Sequence, residues 1–280
     1  MQSSGSRLGS CGAQYNTLAG EKQTMESHIN LDDRFDPDQP LNETVWSLFD
    51  VETTGLNPAY GHRVCEVACL CLRDGEEIDR FDSLVDPGRD ISPGAYRVNR
   101  ITAGMLAGAP PFEAVAGPLL ARMEGAVLVA HNAPFDLGFL AAELEIARLP
   151  APQSPVIDTL ALARRAYAFP RNSLSAVAAA LGVESPPTHR AMSDVRTTAD
   201  VLERMLRDLE RRRGITTLAQ LVQVQGGAIP YPHARALPLP PTISEALGSG
   251  GQVRMRYVDA RGRETERVVR PLRVRGQGGH

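Results

Sequence analysis

The run Thr44-Val45-Trp46-Ser47-Leu48-Phe49 has the apolar, β-branched and aromatic content of a buried strand, and it runs directly into Asp50-Val51-Glu52. Residues i and i+2 of a strand share a face, so both carboxylates point the same way from its end. Two like charges side by side at the rim of a core repel strongly without a counter-ion. Hard divalent cations, which prefer carboxylate oxygens, answer that repulsion. Thr53-Thr54-Gly55 follows as a tight turn whose backbone can approach a substrate closely.

The elements after this strand define the fold class. Residues 63–72 read as a second strand, Asp74-Gly75 as a hairpin turn and residues 78–85 as a third strand, ended by Pro87-Gly88. Thr102 caps a short helix through Leu106, and Pro111 suits the first position of a helix to about Met123. Residues 126–130 form a fourth, fully buried strand. Pro134 opens a helix with Phe135, Phe139, Leu140 and Leu144 as apolar positions. Residues 155–158 make a fifth strand, and helices follow over 159–167, 174–181 (capped by Ser173) and 193–212. Three hairpin-joined strands followed by alternating helix and strand predict a mixed α/β sheet flanked by helices. Trp46, Phe49, Phe81 and Phe139 are expected in its core, and Asp158 as a helix cap.

The termini differ from this middle. Residues 1–43 lack hydrophobic periodicity and are expected to be disordered and dispensable, with the domain spanning 44–213. Glycines and prolines over 214–241 predict a linker, and 242–280 a small basic β-hairpin region with its turn near Gly262. Formal net charge is −3, but residues 215–280 carry 9 basic against 4 acidic groups. Arg254 and Arg256 alternate with Val253, Met255 and Tyr257, so the charges are expected to line one face and meet an anionic partner such as nucleic acid. No run is apolar enough for a membrane span, no apolar leader is visible, and the four cysteines show neither zinc nor disulfide spacing. A reduced, cytoplasmic setting is the expectation.

Two more acidic segments complete the set. Asp136 of His131-Asn132-Ala133-Pro134-Phe135-Asp136 falls in a first helical turn. In His189-Arg190-Ala191-Met192-Ser193-Asp194, five helical residues would rotate the end side chains by about 500°, leaving them roughly 140° apart. His189 is therefore expected on the preceding loop, where a histidine titrating near neutrality suits a general base, with Asp194 near the helix start.

FDVETTG, HNAPFD and HRAMSD, in this order over residues 44–212, closely resemble the DEDDh exonuclease family, which includes the epsilon proofreading subunits of bacterial DNA polymerase III. The resemblance implies a ribonuclease-H-like fold and 3′→5′ hydrolysis of phosphodiesters to nucleoside 5′-monophosphates, using two Mg²⁺ ions (Mn²⁺ as substitute). Asp50, Glu52, Asp136 and Asp194 would be the metal ligands and His189 the base. The backbone of Thr53 and Thr54 would contact the terminal nucleotide, Leu56 would pack on its base, and Asn132 would support site or strand. The implied partners are single-stranded or frayed 3′ ends, DNA ahead of RNA. No clear polymerase- or clamp-binding motif is visible, so a polymerase or repair partner is an expectation only. An RNA-trimming enzyme of the same family and a non-catalytic nucleic-acid-binding module are the alternatives; four mutually repelling carboxylates argue against the second. The C-terminal stretch is similar to the opening of WYL domains over about 35 residues, too short for a complete one.

Overall fold

The computed structural model describes residues 35–232, 241–258 and 264–271. In chain order its elements are β1 (Val45–Thr53), β2 (Val64–Arg73), β3 (Glu76–Leu84), α1 (Pro93–Asn99), α2 (Ala103–Leu106), α3 (Phe112–Met123), β4 (Val127–Ala130), α4 (Ala133–Ala147), β5 (Val156–Asp158), α5 (Thr159–Ala166), α6 (Leu174–Leu181), α7 (Ala191–Arg213), α8 (Leu218–Gln225), α9 (Pro241–Ser249), β6 (Val253–Val258) and β7 (Glu264–Val269). The main sheet has the order β3-β2-β1-β4-β5; β6 and β7 form a separate two-stranded sheet. β1 pairs antiparallel with β2 and parallel with β4, so it lies at the centre of the sheet. The mixed α/β fold with a β appendage is the predicted one.

The alternation of β1 divides the core. Trp46 and Leu48 bury against one helical layer with Val195, Leu202 and Met205 of α7. Phe49 and Val51 bury on the opposite face with Leu119 of α3 and Leu137 and Leu140 of α4. Phe139 is fully buried and Phe81 partly so, packed on that second cluster. Asp74 and Gly75 both take positive φ (50° and 78°), as the two-residue hairpin between β2 and β3 requires. Among the described residues, no helix is long and apolar enough to cross a membrane.

Several boundaries differ from expectation. Helix α1 starts from Ser92, whose side chain accepts from Ala95 N, with proline next; this Ser-Pro start is easily mistaken for a turn. Pro111 is the N-cap of α3 rather than its first residue. Helix α8 interrupts the expected linker: Thr217 and Gln220 form a capping box, and Leu218, Leu221 and Val222 join the core. Gln225 ties α8 to β5 by accepting from Asp158 N (2.9 Å) and donating to Val156 O (2.8 Å). Residues 35–43 are not a free lead-in: Leu41 is buried, and its N–H donates to Thr216 O at 2.9 Å. Residues 1–34, for which disorder is expected, lie outside the described residues, as does the turn near Gly262.

In the appendage, Arg254 and Arg256 stand two apart on β6, as expected for one face. β-pairing sets Arg254 opposite Val268 and Arg256 opposite Glu266, and Arg254 reaches Glu266 at 3.1 Å. Glu266 of the partner strand thus pairs with Arg254. The appendage meets the domain through α9, whose Gly248 lies so close to Arg89 and His62 that an added Cβ would sit 2.8 Å from Arg89 Nη2.

Candidate active site

Asp50 and Glu52 continue the face of β1 that buries Trp46 and Leu48. Because α7 packs along that face, its first turn reaches the same rim and brings Asp194 to them. One carboxylate oxygen from each of Asp50, Glu52 and Asp194 lies within 4.8 Å of the others. Burial pushes the Asp50 carboxyl well above its ordinary range, with further contributions from Asp194 and Glu66. Glu52 is pushed up to about 9 by burial and then by Asp50, Asp194 and Glu66, partly offset by a hydrogen bond from Asn99. Burial also raises Asp194, against the pull of His189. Oxygen donors this crowded fit a hard divalent cation, the ligand type such ions prefer.

Asp136 stands beside this trio rather than within it. It is buried in the first turn of α4, and its Oδ1 accepts from Val51 N at 3.2 Å. Burial and then the Asp50 charge raise its carboxyl as well. His189 lies on the loop before α7, its side chain 61% exposed, with Nδ1 3.8 Å from Asp194 Oδ2. Asn132 is exposed and holds φ 77° at the N-cap of α4, its N–H donating to Asp158 Oδ1 at 2.8 Å. Asp158 also accepts from Leu160 N, so it caps α5 while fixing the start of α4.

The turn after Glu52 is built tightly. Thr53 Oγ1 donates to Gly55 O at 2.6 Å, and Thr54 Oγ1 sits 3.1 Å from His62 Nδ1. The Thr54 N–H donates to Arg63 O, and its carbonyl accepts from Ser92 N. The N–H and carbonyl of Thr54 are thus both hydrogen-bonded within the protein, and Leu56 two residues on is 85% exposed. A Cβ on Gly55 would lie 2.2 Å from His62 Cε1, so only glycine lets the imidazole stack there. Burial and then Arg89 push His62 down to about 4, so it is neutral.

Three further residues, Glu66, Arg190 and Asn99, stand outside the site set read from the sequence. Glu66 of β2 faces Glu52 across the ladder. It accepts a bidentate pair from Arg190 (2.6 Å from Nη2, 3.0 Å from Nε) and also the Ala191 N–H at 3.2 Å. A strand carboxylate therefore caps α7, whose N-cap residue makes no side-chain cap of its own. Asn99 completes the group, donating to Thr53 O at 3.3 Å. Breaking outer partners of this kind typically costs 10–100-fold. Arg190→Ala and Glu66→Gln should each lower kcat by about 10-fold, and the double variant should be no worse than either single. Losses that multiply in this cycle would show that the two side chains act independently.

The family model described as "Exonuclease" (RNase_T) matches residues 47–202, more than half of the chain and all of the carboxylate positions. The chain belongs to this exonuclease family. Among similar proteins, the PolC-type DNA polymerase III of Streptococcus thermophilus is 36% identical over 182 residues, covering 65% of this chain and 12% of that protein. The PolC-type enzyme of Halalkalibacterium halodurans is 38% identical over 174 residues, covering 62% and 12%. The chain thus spans about an eighth of these polymerases. Exonuclease X in complex with 5′-overhanging duplex DNA superposes with a TM-score of 0.50 at 31% identity, covering 65% of this chain and 99% of that one. E. coli exonuclease I with a dT13 oligonucleotide shares the fold (TM-score 0.54, 18% identity, 61% and 42% coverage). This exonuclease domain accordingly has the mixed five-stranded sheet of its structural relatives.

Proposed function

We propose that this exonuclease is a divalent-cation-dependent enzyme that hydrolyses DNA from the 3′ end and releases nucleoside 5′-monophosphates. The observation that carries this reading is the convergence of Asp50, Glu52 and Asp194 on one point at the rim of the sheet. The DNA preference takes support from exonuclease X, 31% identical and bound to overhanging duplex DNA, and from the polymerase relatives. Those polymerases also suggest a partner in replication or repair, to which this domain would bring its hydrolytic site.

In this reading Asp50, Glu52 and Asp194 would hold one Mg²⁺, and Asp50 and Asp136 would hold a second, with Mn²⁺ as substitute. The bound ions would neutralise the charge that builds on the phosphorane and polarise the scissile phosphate. The chain's own residues supply the rest. His189 Nδ1 faces Asp194, which leaves Nε2 to take a proton from the attacking water. Glu66 and Arg190 hold the loop and helix that present this pair. Leu56, exposed in the turn that follows Glu52, would pack against the terminal base.

The test is digestion of matched 3′- and 5′-labelled DNA and RNA oligonucleotides with Mg²⁺, with Mn²⁺ and with EDTA. Mononucleotides should leave the 3′ end of DNA in either metal, and EDTA should abolish release. Full activity in EDTA, cleavage only at internal bonds, or faster digestion of the RNA would each overturn a part of this reading.

A further inference from the structure

The segment between β3 and α3 has a surface unlike the rest of this acidic chain. From Ile91 to Phe112 there is no acidic residue, while Arg97 and Arg100 contribute two positive charges. Neither arginine has a carboxylate partner among the described residues. Arg100 instead lies over the Tyr96 ring, 5.9 Å from its centroid. Exposed apolar side chains occur in this segment too: Tyr96, Val98 and Met105.

This surface is fastened to the site. Ser92 N, at the start of α1, donates to Thr54 O at 3.0 Å, and Asn99 Nδ2, at its end, donates to Thr53 O at 3.3 Å. Both ends of α1 are therefore tied to the turn that leads out of Glu52. Between these anchors Tyr96, Arg97 and Val98 stay exposed, as does Arg100 just past the end of the helix.

We propose that the exposed face of α1, with Tyr96, Arg97, Val98 and Arg100, is a docking surface for the unpaired nucleic-acid strand whose end enters the carboxylate site; this rests on the nuclease reading above. Charge complementarity and continuity with the site select the occupant. A polyanion meets an array of carboxylates at the reaction centre, so it needs cations close by to hold it. An unpaired strand also exposes the flat faces of its bases, which stack on aromatic rings and guanidinium planes. A duplex hides those faces, so apolar and cationic side chains together fit the single strand. The surface would hold the nucleotides that follow the terminal one, leaving Leu56 and the carboxylates to the end itself.

The test uses the full chain, with Ca²⁺ in place of Mg²⁺ to suppress turnover. Binding of a labelled short oligothymidylate and of a matched duplex is measured by anisotropy across a salt series. The variants are Arg97→Glu/Arg100→Glu, the milder Arg97→Gln/Arg100→Gln, Tyr96→Ala, and Arg73→Glu as a control at the exposed far end of β2. Loss of two phosphate contacts should flatten the salt slope for the unpaired strand by about 1.4, at about 0.7 per contact, and raise Kd at low salt by about 10-fold or more. Tyr96→Ala should weaken oligothymidylate but not duplex. Unchanged affinity in both arginine pairs, or an equal loss in Arg73→Glu, overturns the proposal; an α1 that serves a protein partner instead would give the first of these. Hydrolysis of the p-nitrophenyl ester of thymidine 5′-phosphate, read separately with Mg²⁺, keeps the two readings apart. Metal-dependent ester hydrolysis with unaltered strand binding in the variants leaves the nuclease standing and removes the surface. Weakened strand binding without any hydrolysis by the wild type does the reverse.

Discussion

Replacing Asp50 with asparagine should abolish turnover and yet stabilise the metal-free protein. The two effects share one cause. Asp50 lies among Glu52, Asp194 and Glu66, and burial and these neighbours raise its carboxyl. Glu52 is carried up to about 9 by the same crowding. A carboxylate whose folded-state pKa exceeds its unfolded value binds more protons when native. Its contribution to stability is therefore complete below about pH 4, the ordinary carboxylate range, and is lost as pH rises toward about 9. Each such group can contribute a slope of up to about 1.4 kcal/mol per pH unit across its window. In EDTA the wild type should thus melt progressively lower between these limits. Asp50→Asn should show a shallower decline and, at the alkaline end, a melting temperature several degrees higher, since about 1 kcal/mol moves a domain of this size by roughly 2–4 °C. Divalent metal binds the native state alone and should raise the wild-type melting temperature, an effect reduced in Asp50→Asn. Thermal melts at several pH values, with EDTA and with Mg²⁺, read all of this. A variant no more stable than the wild type in EDTA, with an undiminished metal shift, would show that Asp50 is not a member of a metal-binding cluster.

The part of this site that rests on strand periodicity was legible in the chain. Asp50 and Glu52 share a face because side chains alternate on a strand, and the buried Trp46 and Leu48 identify which face that is. The loop position of His189 followed from helical rotation alone, since His189 and Asp194 could not converge on one regular helix. Long-range pairing was not legible. Glu66 and Arg190 are 124 residues apart, and only the β1–β2 register, which sets Glu66 opposite Glu52, reveals that a second strand carboxylate is there. Nothing local shows that the Thr54 backbone pairs with Arg63 and Ser92. Helix α8 did carry a local signal, the Thr217 and Gln220 capping box, but the glycines and prolines just beyond it resemble a linker. The appendage shows the limit of single-strand patterns: nothing in β6 alone shows that Glu266 of β7 pairs with Arg254.

His189→Ala should lower kcat by about 10²–10⁴-fold, the usual range for a lost general base, with strand affinity nearly unchanged. The geometry separates this role from metal binding. His189 Nδ1 lies 3.8 Å from Asp194 Oδ2, and the histidine is not part of the trio that converges within 4.8 Å. The metal-induced rise in melting temperature should therefore survive in His189→Ala, although it shrinks in Asp194→Ala. The exposure of the side chain, 61%, adds a further expectation: the space it leaves is open to solvent, so added imidazole should enter and restore part of the lost turnover. Rescue should grow with the concentration of the neutral imidazole and should be absent in Asp50→Asn, where the metal site rather than the base is lost. A kcat within a few-fold of the wild type would exclude His189 as the base. A large fall in kcat together with loss of the metal-induced shift would instead make His189 part of the metal site, reaching it through its contact with Asp194.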